Sequence, residues 1–427
     1  MRAMKDSGIE WIGEIPASWE IERLKYHIEF NPTTDIPEYE DDQQISFLPM
    51  ECLRRGTHTS QVVDYEKVKK GYVNFQDGDV LMAKVTPCLE NGNIAIAQGL
   101  INGVGFGSTE INVIRCTSIH REYLFYMLQC KTYIERAVAD MYGVAGLKRL
   151  NPSFIPNTKY PIPSIAEQER IAEYLNRTCR EFDALIEAKE KTNALLRERR
   201  QSIIYKAVTK GLDPAVPMKD SGIEWIGMIP ESWGTRKIKY CFEVYAGATP
   251  KSGNCEFWDG DIIWVTPADY TTEQKYISAG RKNITQEGFE SCSTELIPAG
   301  SLIFSKRAPI GLVAINTVDM CTNQGCLACV PIANNDVEYF YYAFSCFTEQ
   351  FDLYGSGTTF KEISADAFMN FAISYPAPEA QRQISDYLRG KCAEMDTLIS
   401  ANEATIQKLK EYRQSVIYEA VTGKMEV

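Results

Sequence analysis

Pairs of lysine and arginine recur along the chain, at Arg54-Arg55, Lys67 with Lys69-Lys70, Lys148-Arg149, Lys237 with Lys239, Arg281-Lys282 and Lys306-Arg307. Neighbouring cations of this kind can hold phosphate, and phosphate contacts supply most of the sequence-independent affinity of a DNA-binding protein. The chain as a whole opposes that use, because 57 acidic residues against 45 basic ones leave a formal net charge of −12. A grip on nucleic acid must then be local, or be shared with a more basic partner.

Other patterns that could carry chemistry are weaker. Asn151 to Phe154 (NPSF) resembles the N-P-P-F type of motif that holds a target amine in adenine methyltransferases. Its third position is Ser153, however, and no glycine-rich cofactor turn lies upstream between a strand and a helix, so it reads as a turn. The glycine cluster Gly103 to Ser108 precedes a strand, which does not support phosphate cradling at a helix N-terminus. Cys326 and Cys329 form a single C-x-x-C near Cys321 without a second pair or a histidine at metal spacing. In a strand, positions three apart face opposite sides, so no metal site is expected. His27, His58 and His120 are too scattered for acid-base or nucleophilic work. Thirteen cysteines, several of them inside apolar runs, read as reduced thiols. No apolar run approaches the roughly 20 residues that cross a bilayer, and the start MRAMKDSG has no secretory h-region; the cytoplasm is the expected location.

The elements that must position any site are written twice. MKDSGIEWIG at Met4 to Gly13 returns unchanged at Met218 to Gly227, and Glu14 to Tyr26 is answered by Met228 to Tyr240 around a shared I-P-x-S-W. A second repeated block joins Glu167 to Ile186 with Ala380 to Ile399, and Arg200 to Thr209 with Arg413 to Thr422. Between the blocks the halves diverge, an order that suits one scaffold carrying two different readers.

In the first variable region short apolar stretches at Ile45 to Leu48, Val80 to Val85, Asn93 to Ala97 and Ile111 to Ile114 predict strands. One amphipathic helix, capped by Ser118, is predicted through Leu124, Leu128, Ile134 and Val138. The second region repeats this layout faintly: Asp79 to Pro87 (DVLMAKVTP) is matched by Ser301 to Pro309 (SLIFSKRAP), and a helix follows through Val337 to Leu353. Both regions end in a Tyr-Gly loop, Tyr142 to Lys148 and Tyr354 to Lys361. The same anchors in the same order predict one α/β fold used twice.

After each variable region prolines (Pro161 and Pro163; Pro376 and Pro378) lead into a long helix. Ser164 with Glu167 fits a capping box. No proline or glycine interrupts Glu167 to Thr209, and apolar residues at Ile171, Leu175, Phe182, Leu185, Leu196 and Ile203 define a seam in a seven-residue frame. Its counterpart is Ile384, Leu388, Met395, Leu398, Leu409 and Val416. At about 1.5 Å per residue such a helix spans roughly 60 Å, more than a compact domain needs. Antiparallel pairing would bring together the polar central positions Lys189 and Thr192 with Asn402 and Thr405, fixing register.

These motifs together, I-E-W-I-G-x-I-P-x-S-W at the start of each half, P-x-P-x-x-x-x-Q before each long helix and RQS-[IV]-I-Y-x-AVT at its end, resemble the specificity subunits of Type I restriction-modification systems over essentially the full length. The resemblance implies target-recognition domains at residues 1–160 and 218–375, spacer helices at 161–210 and 376–427 and a linker at 211–217. The fold is expected to be two α/β (α+β) domains separated by a long antiparallel two-helix coiled coil, with pseudo-two-fold symmetry. The function implied is non-catalytic reading of a bipartite, asymmetric double-stranded DNA site. Two adenine-N6 methyltransferase subunits and ATP-driven restriction subunits would be the partners, holding S-adenosylmethionine, ATP and magnesium that this chain does not bind. A self-contained methyltransferase and an acidic protein that imitates DNA are the alternatives.

Direct readout calls for polar side chains projected from loops into the major groove. The matched loops nominate Lys84, Thr86, Ser108, Thr109 and Lys148 in the first domain. In the second they nominate Lys306, Arg307, Asn323, Gln324, Thr358, Thr359 and Lys361. The Trp pairs, Trp11 with Trp225 and Trp19 with Trp233, are expected to anchor cores.

Overall fold

The computed structural model describes residues 2–36, 38–144, 146–357 and 361–427. It divides into two compact units, Met1–Glu190 with Glu403–Val427, and Lys191–Asn402.

In the first unit β1 (Ile28–Phe30), β2 (Val80–Ala83), β3 (Ile94–Ile96) and β4 (Ile111–Cys116) form an antiparallel sheet in the order β3-β2-β4-β1. All four residues of β2 are buried, because the sheet is covered on both faces and successive side chains alternate between them. Val80 and Met82 enter the helix-side core with Tyr123 and Leu124. Leu81 and Ala83 enter a second core with Leu48 and Phe75. That second core lies under another sheet, ordered Gln61–Asp64, Gln44–Leu48, Val104–Gly107, Val73–Gln76, whose middle pair is parallel.

The second unit repeats the plan with β5 (Phe242–Ala246), β6 (Tyr276–Ile277), β7 (Leu302–Lys306), β8 (Ile310–Asn316) and β9 (Cys326–Pro331) in the order β5-β9-β7-β8-β6. Here too the faces alternate: Leu302 and Phe304 pack towards the helices, Ile303 towards Ala314 and Cys326 on the other side.

Each predicted recognition helix is broken in two. The first becomes α1 (Arg121–Gln129) and α2 (Lys131–Ala139), parted by the extended ψ of 129° at Cys130. Its N-cap is His120; the Ser118 hydroxyl instead meets the His27 ring at 2.8 Å. In the second unit the run from Val337 becomes α4 (Val337–Cys346) and α5 (Thr348–Leu353), which part at Phe347.

The two long helices are α3 (Ile165–Lys210) and α6 (Pro378–Val421). Within each unit they run antiparallel, since rising numbers on one meet falling numbers on the other. In the first unit the Phe182 and Tyr412 rings are 5.4 Å apart, Asp183 pairs with Arg413 at 3.1 Å and Glu190 with Lys410 at 3.6 Å. In the second, Arg200 pairs with Asp396 at 3.3 Å, and Asn402 donates to Asn193 at 2.8 Å.

The buried seam differs from the predicted one. Leu185 and Leu398 stand outside it, 53% and 54% exposed, and Ile186 and Ile399 take their places. The buried line steps by sevens through Cys179, Ile186 and Asn193 on α3, and through Cys392, Ile399 and Ile406 on α6. Ile171, Leu175 and Val416 join the core of the first unit, and Ile384 and Leu388 that of the second. Met395 is buried as well, whereas Phe182, Leu196, Ile203 and Leu409 are half-buried. The buried polar position is Asn193; Thr192 and Thr405 are exposed and Lys189 half-buried.

Paired side chains fasten each unit to its long helices in the same way. The buried Tyr123 hydroxyl is within 3.0 Å of the carbonyls of Pro161 and Val421, and Tyr339 repeats this with Val208 at 3.1 Å and Ser374 at 3.0 Å. Gln168 accepts from the His120 N–H and donates to the Pro163 carbonyl; Gln381 does the same with Asp336 and Pro376. Each tie satisfies a backbone group that burial would otherwise leave orphaned. Trp19 and Trp233 lie in the cores, and Trp11 and Trp225 pack against them half-buried.

Candidate nucleic-acid interface

At the end of β2 the chain turns through Lys84, Val85 and Thr86 to Pro87; at the end of β7 it turns through Lys306, Arg307 and Ala308 to Pro309. Both prolines follow a cis peptide bond. Around these turns several backbone hydrogen bonds correspond. Lys84 N–H donates to the Glu110 carbonyl and Lys306 N–H to that of Gly325. Leu150 N–H donates to the Lys84 carbonyl, and Ile363 N–H to that of Lys306. Single antiparallel bridges, Val85 with Arg149 and Arg307 with Glu362, join each turn to its Tyr-Gly loop.

The third strand of each frame matches as well. Ile111 N–H donates to the Ser108 carbonyl as Cys326 N–H does to that of Asn323. The Ser108 hydroxyl accepts from Glu110 N–H at 3.2 Å, and the Asn323 side-chain carbonyl accepts from Gly325 N–H at 2.9 Å. The structure thus gathers Lys84, Thr86, Ser108, Thr109 and Lys148 at one sheet end in the first unit, and Lys306, Arg307, Asn323 and Gln324 at the equivalent end in the second. Lys361 ends the second Tyr-Gly loop. Thr358 and Thr359 lie outside the described residues.

On this common backbone the charges are placed differently. In the first unit Arg149 pairs with Glu110 through contacts of 2.5 and 3.2 Å, and among the described residues Lys84 and Lys148 form no ion pair. In the second, Glu362 stands where Arg149 does and holds both Lys306 at 2.8 Å and Arg307 at 3.4 Å. The hydrogen bond from Lys306 holds the Glu362 carboxyl below the usual glutamate range, and the charge of Arg307 adds to it. Lys361 is paired with Asp352 at 2.5 Å. The carboxylates Glu110 and Glu362 were not singled out from sequence; their pairing bridges distant segments, although Glu362 does follow Lys361 directly.

Two hydroxyls tie neighbouring loops together. Thr86 donates to the Gly146 carbonyl at 2.9 Å and accepts from Lys148 N–H at 3.0 Å, tying the proline turn to the Tyr-Gly loop. Thr249, which sequence reasoning passed over, donates to the Gln324 side-chain carbonyl. Its loop reaches Gln324 because Gly247 passes so close that a Cβ there would lie 2.2 Å from the Asn323 carbonyl oxygen. Arg281, on the same flank, pairs with the almost fully buried Asp269 at 3.4 Å.

Cys321, Cys326 and Cys329 are buried in the cores of the second unit. Burial pushes the Cys326 thiol up to about 12 and the Cys321 thiol up to about 11, so both stay protonated at neutral pH. No helix among the described residues is long and apolar enough to cross a membrane.

A family model described as the Type I restriction modification DNA specificity domain matches residues 18–196 and again 230–410. The specificity subunit of the Type I restriction enzyme EcoAI from Escherichia coli is 40% identical over 163 residues, which is 37% of this chain and 27% of that protein. The chain thus matches about a quarter of that relative's length. A putative Type I specificity subunit, MjaX, from Methanocaldococcus jannaschii is 24% identical over 97% of this chain and 96% of its own length. A solved structure concerned with complex assembly and conformational transition of the type I R-M system shares the fold, with a TM-score of 0.76 at 18% identity, covering 96% of this chain and 99% of that one.

Proposed function

Since the chain belongs to the family of Type I restriction modification DNA specificity domains and carries two copies of that domain, we propose that it reads a bipartite, asymmetric double-stranded DNA site, one half with each copy. The observation that carries this reading is the pair of loop frames with the same backbone bonds and different side chains. A shared frame presents its tips to the same kind of object, and different tips ask for different base pairs. Ser108-Thr109 against Asn323-Gln324, and Arg149 against Glu362, are the changes most able to alter hydrogen bonding to base edges.

In this reading the chain performs no catalysis. Methyltransferase subunits, bound in two copies, would hold S-adenosylmethionine, and restriction subunits ATP and magnesium. The exposed Leu185 and Leu398, equivalent positions of α3 and α6, favour such docking because each offers the same apolar handle on a helix.

Exchange of residues 218–375 for the corresponding domain of another specificity subunit tests the reading. Methylome sequencing is expected to show one half of the methylated motif changed and the other kept; change in both halves, or in neither, refutes it.

Glu362→Gln gives a second, local expectation. Loss of the carboxylate releases Lys306 and Arg307 for phosphate, so duplex affinity at low salt should rise. The plot of log affinity against log salt should steepen by about 1 to 2, near 0.9 per added phosphate contact. Fluorescence anisotropy across a salt series measures this, and an unchanged slope refutes it. Because the Glu362 carboxyl titrates below the usual range, lowering the pH should mimic the variant only once pH falls through that depressed value.

A further inference from the structure

The duplication left identities of two kinds between the halves. Buried ones, such as Ile15 with Ile229 or Trp19 with Trp233, are demanded by the cores. Some exposed ones have local reasons too: the Asp6 and Asp220 carboxylates accept from Gly8 and Gly222 N–H at 2.9 and 3.0 Å, closing a turn.

The rings of Tyr26 and Tyr240, each preceded by a lysine, have no such reason, although Lys239 also donates to the Asn370 side chain at 2.9 Å. Each pair sits on a one-turn 3-10 helix, Leu24–Tyr26 or Ile238–Tyr240, whose buried residue is the first. The tyrosines are 65% and 60% exposed, and each ring has its own lysine over it, with Nζ 5.2 and 5.4 Å from the centroid. Among the described residues neither phenol hydroxyl has a hydrogen-bond partner. The surrounding exposed positions have drifted: Glu14 has become Met228, Ala17 Glu231, and Glu20 Gly234. Two large exposed side chains kept in the same geometry amid that drift need an external explanation.

Their place in the fold narrows it. Tyr26 precedes β1, whose Ile28 pairs with Cys116 at the far end of β4 from Glu110. Tyr240 precedes β5, whose Phe242 pairs with Pro331 at the far end of β9 from Gly325. In each unit a strand length of roughly 17 Å separates the pair from the loops that differ between halves. A surface kept the same in both copies, and set away from the divergent loops, fits a partner that is itself the same at both places.

We propose that Lys25-Tyr26 and Lys239-Tyr240 are two equivalent docking points for a protein subunit bound in two copies. Its matching surface presents a carboxylate to the ammonium beside an apolar recess that receives the ring. Tyrosine is one of the residues in which binding energy concentrates at protein interfaces. The inference rests on the reading that the chain carries two methyltransferase copies.

Native mass spectrometry of the full chain with the methyltransferase subunit of its own system provides the test, with isothermal titration for affinity. Wild type should bind two copies. Lys25→Ala with Tyr26→Ala should weaken one copy at least tenfold, Lys239→Ala with Tyr240→Ala the other, and all four changes both. Circular dichroism should stay unchanged, and the milder Lys25→Glu alone should weaken one copy. Two copies held with unaltered affinity by the fourfold variant overturns the inference while leaving the docking reading intact. A variant that keeps both copies but loses duplex affinity marks a phosphate contact, and also overturns it. A wild type that binds no methyltransferase sinks both.

Discussion

Asp79→Ala is expected to destabilise the first unit by about 3 kcal/mol, towards the lower end of what removing one member of a buried ion pair costs. Asp79 is 1% exposed and accepts from Arg115 at 2.9 and 2.8 Å and from the Gln76 N–H at 2.9 Å. Deleting it strands a guanidinium in the sheet and orphans a backbone donor of the turn into β2, the strand that carries Lys84 and Thr86 forward. The lower end applies because the Arg115 side chain keeps 18% exposure and can recruit water. Each 1.4 kcal/mol is tenfold, so transient opening should increase roughly a hundredfold. Hydrogen exchange should show β2 and β4 amides losing protection while β7 and β9 keep theirs. Adding Arg115→Leu should recover part of the loss, since an apolar replacement leaves no unpaired charge. A single-variant cost under about 1 kcal/mol, or no recovery in the double variant, contradicts this account.

The same position shows what could be read without coordinates. Asp79 and Ser301 are matched by the strands they precede, and that match extends to the bonds from Lys84 and Lys306 N–H and to the Lys84 and Lys306 carbonyls. Their roles do not match: Asp79 accepts from a guanidinium, whereas the buried Ser301 donates its N–H to the Asn316 side-chain carbonyl at 2.7 Å. Periodicity carries strand positions because alternation reports burial directly. It does not report which charged residue meets which, because Asp79 with Arg115, Glu110 with Arg149 and Glu362 with Lys306 are joined only by tertiary folding. Thus the places of Ser108, Thr109, Asn323 and Gln324 were legible, whereas the carboxylates beside them were not.

The long helices illustrate a second limit. Two neighbouring apolar residues, Leu185-Ile186 and Leu398-Ile399, fit the pattern equally well until the frame is fixed. Choosing the leucines shifts the seam by one residue, about 100° around the helix. Polar members of the true line, Asn193 above all, hid its spacing of seven from a search confined to hydrophobic residues. The breaks at Cys130 and Phe347 were hidden for a related reason: apolar spacing of three and four continues on either side of a single non-helical residue.

Under the proposed function the largest change in DNA recognition should come from altering neither reading loop. Four helix-forming residues inserted after Glu190 in α3 and four after Asn402 in α6, the divisions between the two units, add about 6 Å to each helix. At about 3.4 Å per base pair that is nearly two base pairs. Four residues turn the helix through about 400°, leaving a residual rotation of only about 40°, which local unwinding of the paired helices can absorb. Both insertions are needed: one alone displaces the sevens of Cys179 and Ile186 against their partners and separates Asn193 from Asn402. The methylated motif should therefore keep both half-sites and gain one or two unread base pairs between them, while a single insertion should abolish methylation. Methylome sequencing of cells carrying each variant distinguishes the outcomes. Half-sites that change while the gap stays constant would show that the helices do not set the distance, and the matched loop frames would then need another means of reaching two stretches of one duplex.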